Sequence, residues 1–249
     1  RAHNPINTQQ QREHELLALW YYRHPEIQAA REEVRAYWLD LVEPGPVMLS
    51  CFEQAFDEVM FGAVIWALNQ DPLYPRVITI SRVPHTLQGE QIPGSRWGID
   101  NPDSIYRVIP ISGSEQYVIR GRVAQQRLVE NYFTLWDPNM VTVDVCNGST
   151  LQLDSDGSFE VTVSSEPANG NPKHVQSSPD AHEFYIRDVM LNWEKDDPNW
   201  LEIERLGGAP GRPARTLDEQ AELTAEFMLR YADFTTSLSK GTFRRDAND

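Results

Sequence analysis

The stretch Phe159-Glu160-Val161-Thr162-Val163-Ser164 decides the fold, because apolar and polar side chains alternate along it without a break. Successive side chains of a β-strand point to opposite faces, so this period of two predicts a strand with one face in a core and one in water. The same alternation recurs over residues 117–123 and 141–146, where Val141, Val143 and Val145 would face the core. Further strands are expected at residues 76–83, 104–111, 128–136, 182–191 and 200–206.

Short segments rich in turn-forming residues separate these strands. Ser112-Gly113-Ser114 and Asp154-Ser155-Asp156-Gly157 each join two of them. Glycine and aspartate favour tight hairpin turns, and such close spacing favours antiparallel pairing. The middle of the chain is therefore predicted to form an antiparallel β-sandwich or jelly roll.

Both ends of the chain show helical patterns. Residues 9–41 contain no glycine, and Pro25 should divide them into two helices. After Pro44-Gly45-Pro46, a third helix is expected over residues 50–69. Thr216-Leu217-Asp218-Glu219 has the pattern of a capping box and predicts a helix to about residue 238. Its buried stripe would contain three side chains: Leu223, Phe227 and Tyr231.

These elements predict an α+β fold with three regions. Residues 1–72 would form an N-terminal helical region, and residues 73–206 would form the antiparallel β domain. Residues 207–249 would form a glycine-rich linker followed by a C-terminal helix with a polar tail.

Composition excludes several classes of function. The formal net charge is −15 and no basic face is clustered, which argues against a nucleic-acid partner. No apolar run reaches about 18 residues, so no membrane span is expected. No secretory signal pattern is visible, and we expect a cytoplasmic protein.

Cys51 and Cys146 are then expected to be free buried thiols, although two cysteines leave a disulfide open.

The common motifs of metal and cofactor sites do not occur in this sequence. It contains no H-E-x-x-H, no P-loop, no G-x-S-x-G elbow and no G-x-G-x-x-G. The acidic turn at residues 154–157 has its glycine where a hairpin needs it and not where a calcium-binding loop needs it. We therefore predict neither a metal nor a cofactor.

One segment concentrates chemically different polar groups. Over residues 97–107, Asp103 and Tyr106 can move a proton, and Arg107 can clamp an anionic or carbonyl group. The run Asp100-Asn101-Pro102-Asp103 can equally cap a turn through side-chain hydrogen bonds. We name Asp103, Tyr106 and Arg107 as candidate catalytic residues. The candidate substrate-binding residues are Trp97, Asn101, Tyr185, Arg187 and Trp193.

Tryptophans and one strand complete this candidate site. Trp97, Trp193 and Trp200 are flanked by polar turns and can form the wall of a ligand site. Along residues 182–191, alternation places Arg187 and Asp188 on opposite faces, so one of the two charges points toward the core. A charge that faces inward must be paired or lie in a wet pocket.

The run Asp100-Asn101-Pro102-Asp103-Ser104-Ile105-Tyr106-Arg107 resembles a D-N-P-D-x-x-Y-R segment of the bacterial DUF1214 family, whose function is unknown. Residues 184–206 are similar to the same family, with the turn Asn192-Trp193-Glu194 followed by Trp200-Leu201-Glu202-Ile203-Glu204-Arg205. The hairpin at residues 151–163 is similar too. The resemblance covers residues 75–206 and implies a jelly-roll-like β domain more firmly than it implies a function.

Three classes of function remain open. The first is a cofactor-independent enzyme that acts by acid–base chemistry on a small, largely apolar, oxygen-containing molecule in a pocket of the β domain. The second is a non-catalytic protein that binds a small molecule or a carbohydrate. The third is an oligomeric scaffold in which the polar residues only hold turns. A homo-oligomer is compatible with all three.

Overall fold

The computed structural model describes residues 4–96 and 100–243. The chain forms two compact units. One consists of Arg1–His14, Asn69–Ile80 and Asn101–Ala214, and the other of Glu15–Leu68, Ser81–Asp100 and Arg215–Asp249. The first is a β unit and the second is mainly helical, which confirms the α+β class.

Eleven strands are present in the described residues. In chain order they are β1 Ile78–Thr79, β2 His85–Leu87, β3 Glu90–Ile92, β4 Ser104–Pro110, β5 Tyr117–Arg122, β6 Glu130–Trp136, β7 Thr142–Asn147, β8 Ser158–Ser164, β9 His174–Gln176, β10 Glu183–Val189 and β11 Trp200–Arg205. The predicted strand at residues 76–83 is reduced to the two residues of β1.

The β unit contains two sheets, one with the strand order β1-β4-β10-β6-β7 and the other with β11-β5-β8-β9. All neighbours pair antiparallel except β8 and β9, which are parallel. Apolar side chains from both sheets form one core. Ile109, Phe133 and Phe184 come from the first sheet, Ile119 and Val161 come from the second, and all five are fully buried. This is the predicted β-sandwich.

Strand β7 departs from its predicted orientation. Val141 and Val145 are 60% and 50% exposed, whereas Cys146 packs in the core. The pairing with β6 shifts between Leu135 and Trp136, so that Asp144 lies opposite Leu135 while Thr142 lies opposite Trp136. The extra residue, Val143, makes a β-bulge and breaks the period of two. The prediction that three valines share the core face is therefore wrong.

Two short pairings were not predicted. Strands β2 and β3 form a hairpin around Gln88 and Gly89, which both have positive φ. Positive φ at both central residues is the geometry of the type I′ turn. Strand β9 has only three residues, and its parallel partner β8 lies ten or more residues away in the chain. Strands this short leave almost no periodic signal.

Four helices are described, namely α1 Gln9–Tyr22, α2 Pro25–Val42, α3 Pro46–Ala67 and α4 Leu217–Phe243. Pro25 begins α2, as predicted, while α3 begins at Pro46, four residues before the predicted start. Proline suits the first turn of a helix because that turn leaves its N–H groups unpaired. Within the described residues, none of these helices has both the length and the hydropathy needed to cross a membrane.

The start of α4 confirms the capping box. The backbone N–H of Thr216 donates to Glu219 Oε2 at 2.8 Å, and the N–H of Glu219 donates to Thr216 Oγ1 at 3.3 Å. The predicted stripe is only partly correct, since Tyr231 is buried but Leu223 is 40% exposed. Over residues 217–240, the buried positions of α4 are Ala221, Thr224, Met228, Tyr231 and Ala232.

Both cysteines are free, and their environments differ. Cys146 is buried in the sandwich core, as predicted, whereas Cys51 is exposed, so the prediction of a buried thiol is wrong there. Burial raises the pKa of the Cys146 thiol to about 11. A thiol with this pKa forms little thiolate near pH 8, and thiolate is the reactive species.

We predict that Ellman's reagent modifies one thiol per native chain rapidly at pH 8 and the second only in denaturant. The Cys51→Ser variant should lose the fast phase, and the Cys146→Ser variant should keep it. Two fast thiols in the native protein would show that the core around Cys146 opens readily.

A glycine in β5 marks a tight contact in the core. A Cβ atom built on Gly121 would lie 2.2 Å from the ring of Phe159. We therefore predict that Gly121→Ala lowers the free energy of unfolding by about 1–3 kcal/mol through overpacking. Gly211→Ala is the matched control, since no described atom lies within 4 Å of its added Cβ. Equal urea midpoints for the two variants would contradict this account of the core.

Candidate functional site

Arg107 lies in the interior of the β-sandwich. Its position on β4 faces Ile186 of β10, and its side chain is only 2% exposed. The Nη2 group forms an ion pair with Asp188 Oδ2, and Nη1 donates to the carbonyl oxygen of Asn199 at 2.6 Å. Asp188 is completely buried. The structure thus confirms the prediction that one charge of the pair Arg187 and Asp188 points inward, and it shows that this charge is paired.

Two asparagines extend the ion pair into a buried network. Asn131 Nδ2 donates to Asp188 Oδ1 at 2.5 Å, and Asn199 Nδ2 donates to Asn131 Oδ1 at 3.0 Å. Gly148 makes room for this arrangement, because a Cβ atom there would lie 1.9 Å from Asn131 Oδ1. Within the described part of the chain, Arg107 Nε and Asn199 Oδ1 have no hydrogen-bond partner.

Burial dominates the electrostatics of this network. Desolvation raises the pKa of Asp188, while the neighbouring guanidinium of Arg107 opposes that rise. Desolvation likewise lowers the pKa of Arg107, against the attraction of Asp188. Burying either charge without the other would cost free energy, so each charge holds its partner in place. The network is therefore built to join strands, and Arg107 is engaged by protein groups.

The loop before β4 is a turn closed by its own side chains. Asn101 Oδ1 accepts from the N–H of Asp103 at 3.0 Å, and the Tyr106 hydroxyl accepts from the N–H of Asn101 at 2.8 Å. Trp193 Nε1 donates to Asp103 Oδ1 at 3.1 Å, although the Trp193 side chain is half exposed. The structure brings four predicted site residues together here, and all four hydrogen bond within the protein. Trp97 lies outside the described residues.

An aromatic stack covers the other face of the five-stranded sheet. The Tyr185 ring stacks on Tyr106 at 5.1 Å between centroids and on Trp136 at 4.4 Å. The guanidinium of Arg187 lies 4.8 Å from the centroid of Tyr185 and 5.6 Å from that of Trp136. These are cation–π distances, so the rings hold the charge of Arg187 at a fixed position.

The candidate catalytic residues do not converge. Tyr106 and Arg107 are neighbours on β4, and neighbouring side chains of a strand point to opposite faces. Tyr106 belongs to the aromatic stack, whereas Arg107 belongs to the core network. The sequence patterns did not indicate Asn131, Asn199 or Gly148. Alternation along β6 was a usable signal for Asn131, because it shares a face with Phe133 and Leu135.

A hollow of about 230 Å³ lies on the outer face of the four-stranded sheet. Two cross-strand rows form its floor, one with Trp200, Arg122 and Ser158, and the other with Glu202, Arg120 and Glu160. Gly121, Asp154 and Phe159 complete the lining. Of the three tryptophans singled out from the sequence, Trp200 lies in this hollow, but no residue of the predicted site lines it.

The charges in the hollow are paired across strands. Arg120 Nε contacts Glu160 Oε1 at 2.9 Å, and its Nη1 contacts Glu204 Oε2 at 2.7 Å. Arg122 Nη2 contacts Asp156 Oδ2 at 3.0 Å. These side chains are 38–59% exposed, so their donor and acceptor atoms remain open to a solute. Among the described residues, no group of three or more histidine, cysteine and acidic side chains is placed to hold a metal ion.

No family model and no curated protein matches the chain. Its fold is similar to a solved structure of an uncharacterized protein from Burkholderia cenocepacia, with a TM-score of 0.62 and 21% identity over 86% of this chain. That match covers 56% of the Burkholderia chain, so the present sequence spans little more than half of that protein's length. The VPA0106 protein from Vibrio parahaemolyticus matches at a TM-score of 0.36 and 17% identity, over 45% of this chain and 32% of its own. The Burkholderia structure shows a shared fold, and membership of the DUF1214 family stays a prediction.

We predict that Asp188→Asn lowers the free energy of unfolding by about 3–5 kcal/mol, because the nearly isosteric amide leaves Arg107 as a buried, uncompensated charge. Glu204→Gln is the matched control, since it removes an exposed carboxylate from Arg120 and should change stability little. Urea denaturation of both variants measures the difference. A small effect of Asp188→Asn, comparable to the control, would mean that water reaches Arg107.

Proposed function

We propose that this chain is a non-catalytic binding protein and that its ligand is a small saccharide bound in the hollow around Trp200. The observation that carries the proposal is an indole ring set beside arginine and carboxylate side chains in one depression of a rigid sheet. Pockets that bind small molecules combine aromatic walls with a few fixed polar groups.

The chemistry of the lining suits a sugar ring. An indole offers a large apolar face, against which the C–H face of a pyranose can pack. Arg120 and Arg122 offer planar sets of donors, and Glu160 and Glu202 offer acceptors for hydroxyl groups. A volume of about 230 Å³ is below the 300–1,000 Å³ range of pockets for drug-sized ligands, which favours a ligand of one or two rings.

The ion pairs support this interpretation by fixing the polar atoms in advance. Arg120 is held from both sides by Glu160 and Glu204, so a ligand would not need to order it. Exposed ion pairs of this kind contribute little to stability. A binding role therefore accounts for the arrangement better than a stabilising role does.

The enzyme hypothesis receives less support from the same contacts. The Tyr106 hydroxyl accepts a hydrogen bond from its own turn, the Asp103 carboxylate accepts one from the indole of Trp193, and Arg107 is sealed in the core. A general acid or base must reach the substrate, directly or through one water. Acid–base catalysis at residues 103–107 stays an untested prediction. We also propose a cytoplasmic location, because the exposed, unpaired thiol of Cys51 suits a reducing compartment.

The proposal predicts weak but specific binding. At about −0.3 kcal/mol per non-hydrogen atom, a hexose would bind with a Kd of about 1 mM. We therefore suggest screening hexoses and their disaccharides by ¹H–¹⁵N correlation NMR, in which the seven tryptophans give indole N–H resonances. A ligand should shift the indole resonance that is missing in Trp200→Ala, and that variant should lose binding at least tenfold.

Trp20→Ala is the matched control, because Trp20 is a half-exposed tryptophan of helix α1. It should bind the saccharide as the parent protein does. The proposal would be contradicted if no saccharide of the panel bound at a concentration tenfold above the expected Kd. Binding that shifts another indole and survives Trp200→Ala would move the site away from this sheet.

A further inference from the structure

The turn between α2 and α3 exposes several apolar side chains that are close in sequence. We call these five residues the apolar tip, and they are Leu41, Val42, Val47, Met48 and Leu49. Val47 is 86% exposed, and Val42 and Met48 are each 51% exposed. Single exposed apolar residues are ordinary on protein surfaces, whereas five within nine residues concentrate exposed apolar surface at one turn, as interaction sites do.

The fold of the helical unit does not explain the apolar tip. The second half of α3 is buried, including Phe56, Met60 and Trp66, so its apolar composition serves the core. The first turn of the same helix is exposed throughout, and no charged residue occurs between Glu43 and Glu53. Polar side chains at these positions would satisfy the helix equally well. The apolar tip therefore requires a partner to account for it.

Side-chain contacts join α2 and α3 at the positions that lead into the tip. Arg31 donates to Asp57 at 2.7 Å and lies 5.0 Å from the ring centroid of Phe56. Trp38 packs edge-on against Phe56 at 5.7 Å, and Arg35 forms an ion pair with Glu53. A preorganised surface loses little conformational entropy on binding, which favours its use as a docking site.

The charges around the tip select the partner. No lysine or arginine occurs between residues 36 and 75, whereas Asp40 and Glu43 are exposed beside the tip. Helix α4 adds Lys240, one turn beyond Thr236, whose hydroxyl accepts from Trp38 Nε1 at 3.1 Å, so two carboxylates face one described cation. A second copy of this chain would bring like charges together, and anionic phosphate headgroups would be repelled. Carboxylates at the rim of an apolar patch instead complement lysine and arginine at the rim of another.

We propose that the apolar tip docks a basic amphipathic helix of another protein. Apolar side chains at positions i, i+3 or i+4, and i+7 of that helix would pack on Leu41, Val47 and Met48. Its lysines or arginines would lie against Asp40 and Glu43. This surface belongs to the helical unit, and the proposal does not depend on the saccharide site.

The test uses a synthetic 18-residue helical peptide of leucine and lysine with apolar period 3.6, together with its leucine–glutamate counterpart. Isothermal titration calorimetry with the full chain should show binding of the lysine peptide only. The double variant Val47→Ser, Met48→Ser should weaken that binding at least tenfold. Asp40→Asn, Glu43→Gln should weaken it less and reduce its dependence on salt.

The matched control is Val83→Ser, Val129→Ser, which removes two valines that are 73% and 69% exposed and lie outside the tip. This variant should bind the lysine peptide normally. No binding of the lysine peptide, or equal binding by the tip and control variants, overturns the proposal. So does self-association in sedimentation velocity, or binding to phosphatidylcholine vesicles, if either depends on Val47 and Met48. A dimer through the tip would also be trapped as a Cys51 disulfide under oxidation.

Discussion

The buried ion pair between Arg107 and Asp188 is the constraint on which the β unit depends. It joins the adjacent strands β4 and β10 at the centre of the five-stranded sheet, and Asn131 adds the third strand, β6. The carbonyl of Asn199, directly before β11, attaches the other sheet. A slip of one residue in the pairing of β10 would turn Asp188 toward the opposite face and leave Arg107 without a counter-charge. The pair therefore reinforces the register that Phe184 and Ile186, on the same face of β10, also specify.

The sequence predicts an element correctly wherever a local pattern, such as strand alternation or a capping box, determines that element. Strict alternation predicts β8 and most other strands, and the residues 216–219 predict the start of α4 with its capping contacts. The rule fails at β7, since a bulge adds one residue that no period reveals. The helical period fails in the same way for Leu223 of α4. An apolar residue on a helix need not lie on the face that its neighbours bury.

The candidate site was harder to predict for a different reason. Asp103, Tyr106 and Arg107 are close in sequence, but strand geometry sends Tyr106 and Arg107 to opposite faces. The partners of Arg107 come from distant segments, and Asp188 is 81 residues away. Periodicity can show that Asp188 faces inward, but only the pairing of β4 with β10 shows what it meets. Asn199 lies in the irregular segment directly before β11, where no periodic pattern indicates which way a side chain points.

These contacts distinguish an inner region that serves stability from the outer surface at which we propose that a ligand binds. The ion pair described in the interior, Arg107 with Asp188, is closed off from solvent, while those around Trp200 are exposed. Preorganised polar atoms are useful for binding only where a ligand can reach them. This distinction moves the proposed site from residues 100–107 to the outer face of the four-stranded sheet.

A double-mutant cycle between Arg107 and Asp188 tests the central claim most directly. The variants are Arg107→Leu, Asp188→Leu and the two changes together, each measured by urea denaturation. If the pair acts as a closed structural unit, each single change leaves an unpaired buried charge, and the double variant recovers most of the lost stability. The account predicts a coupling energy of about 3 kcal/mol or more. Additive effects, with the double variant as unstable as the sum of the single changes, would contradict it.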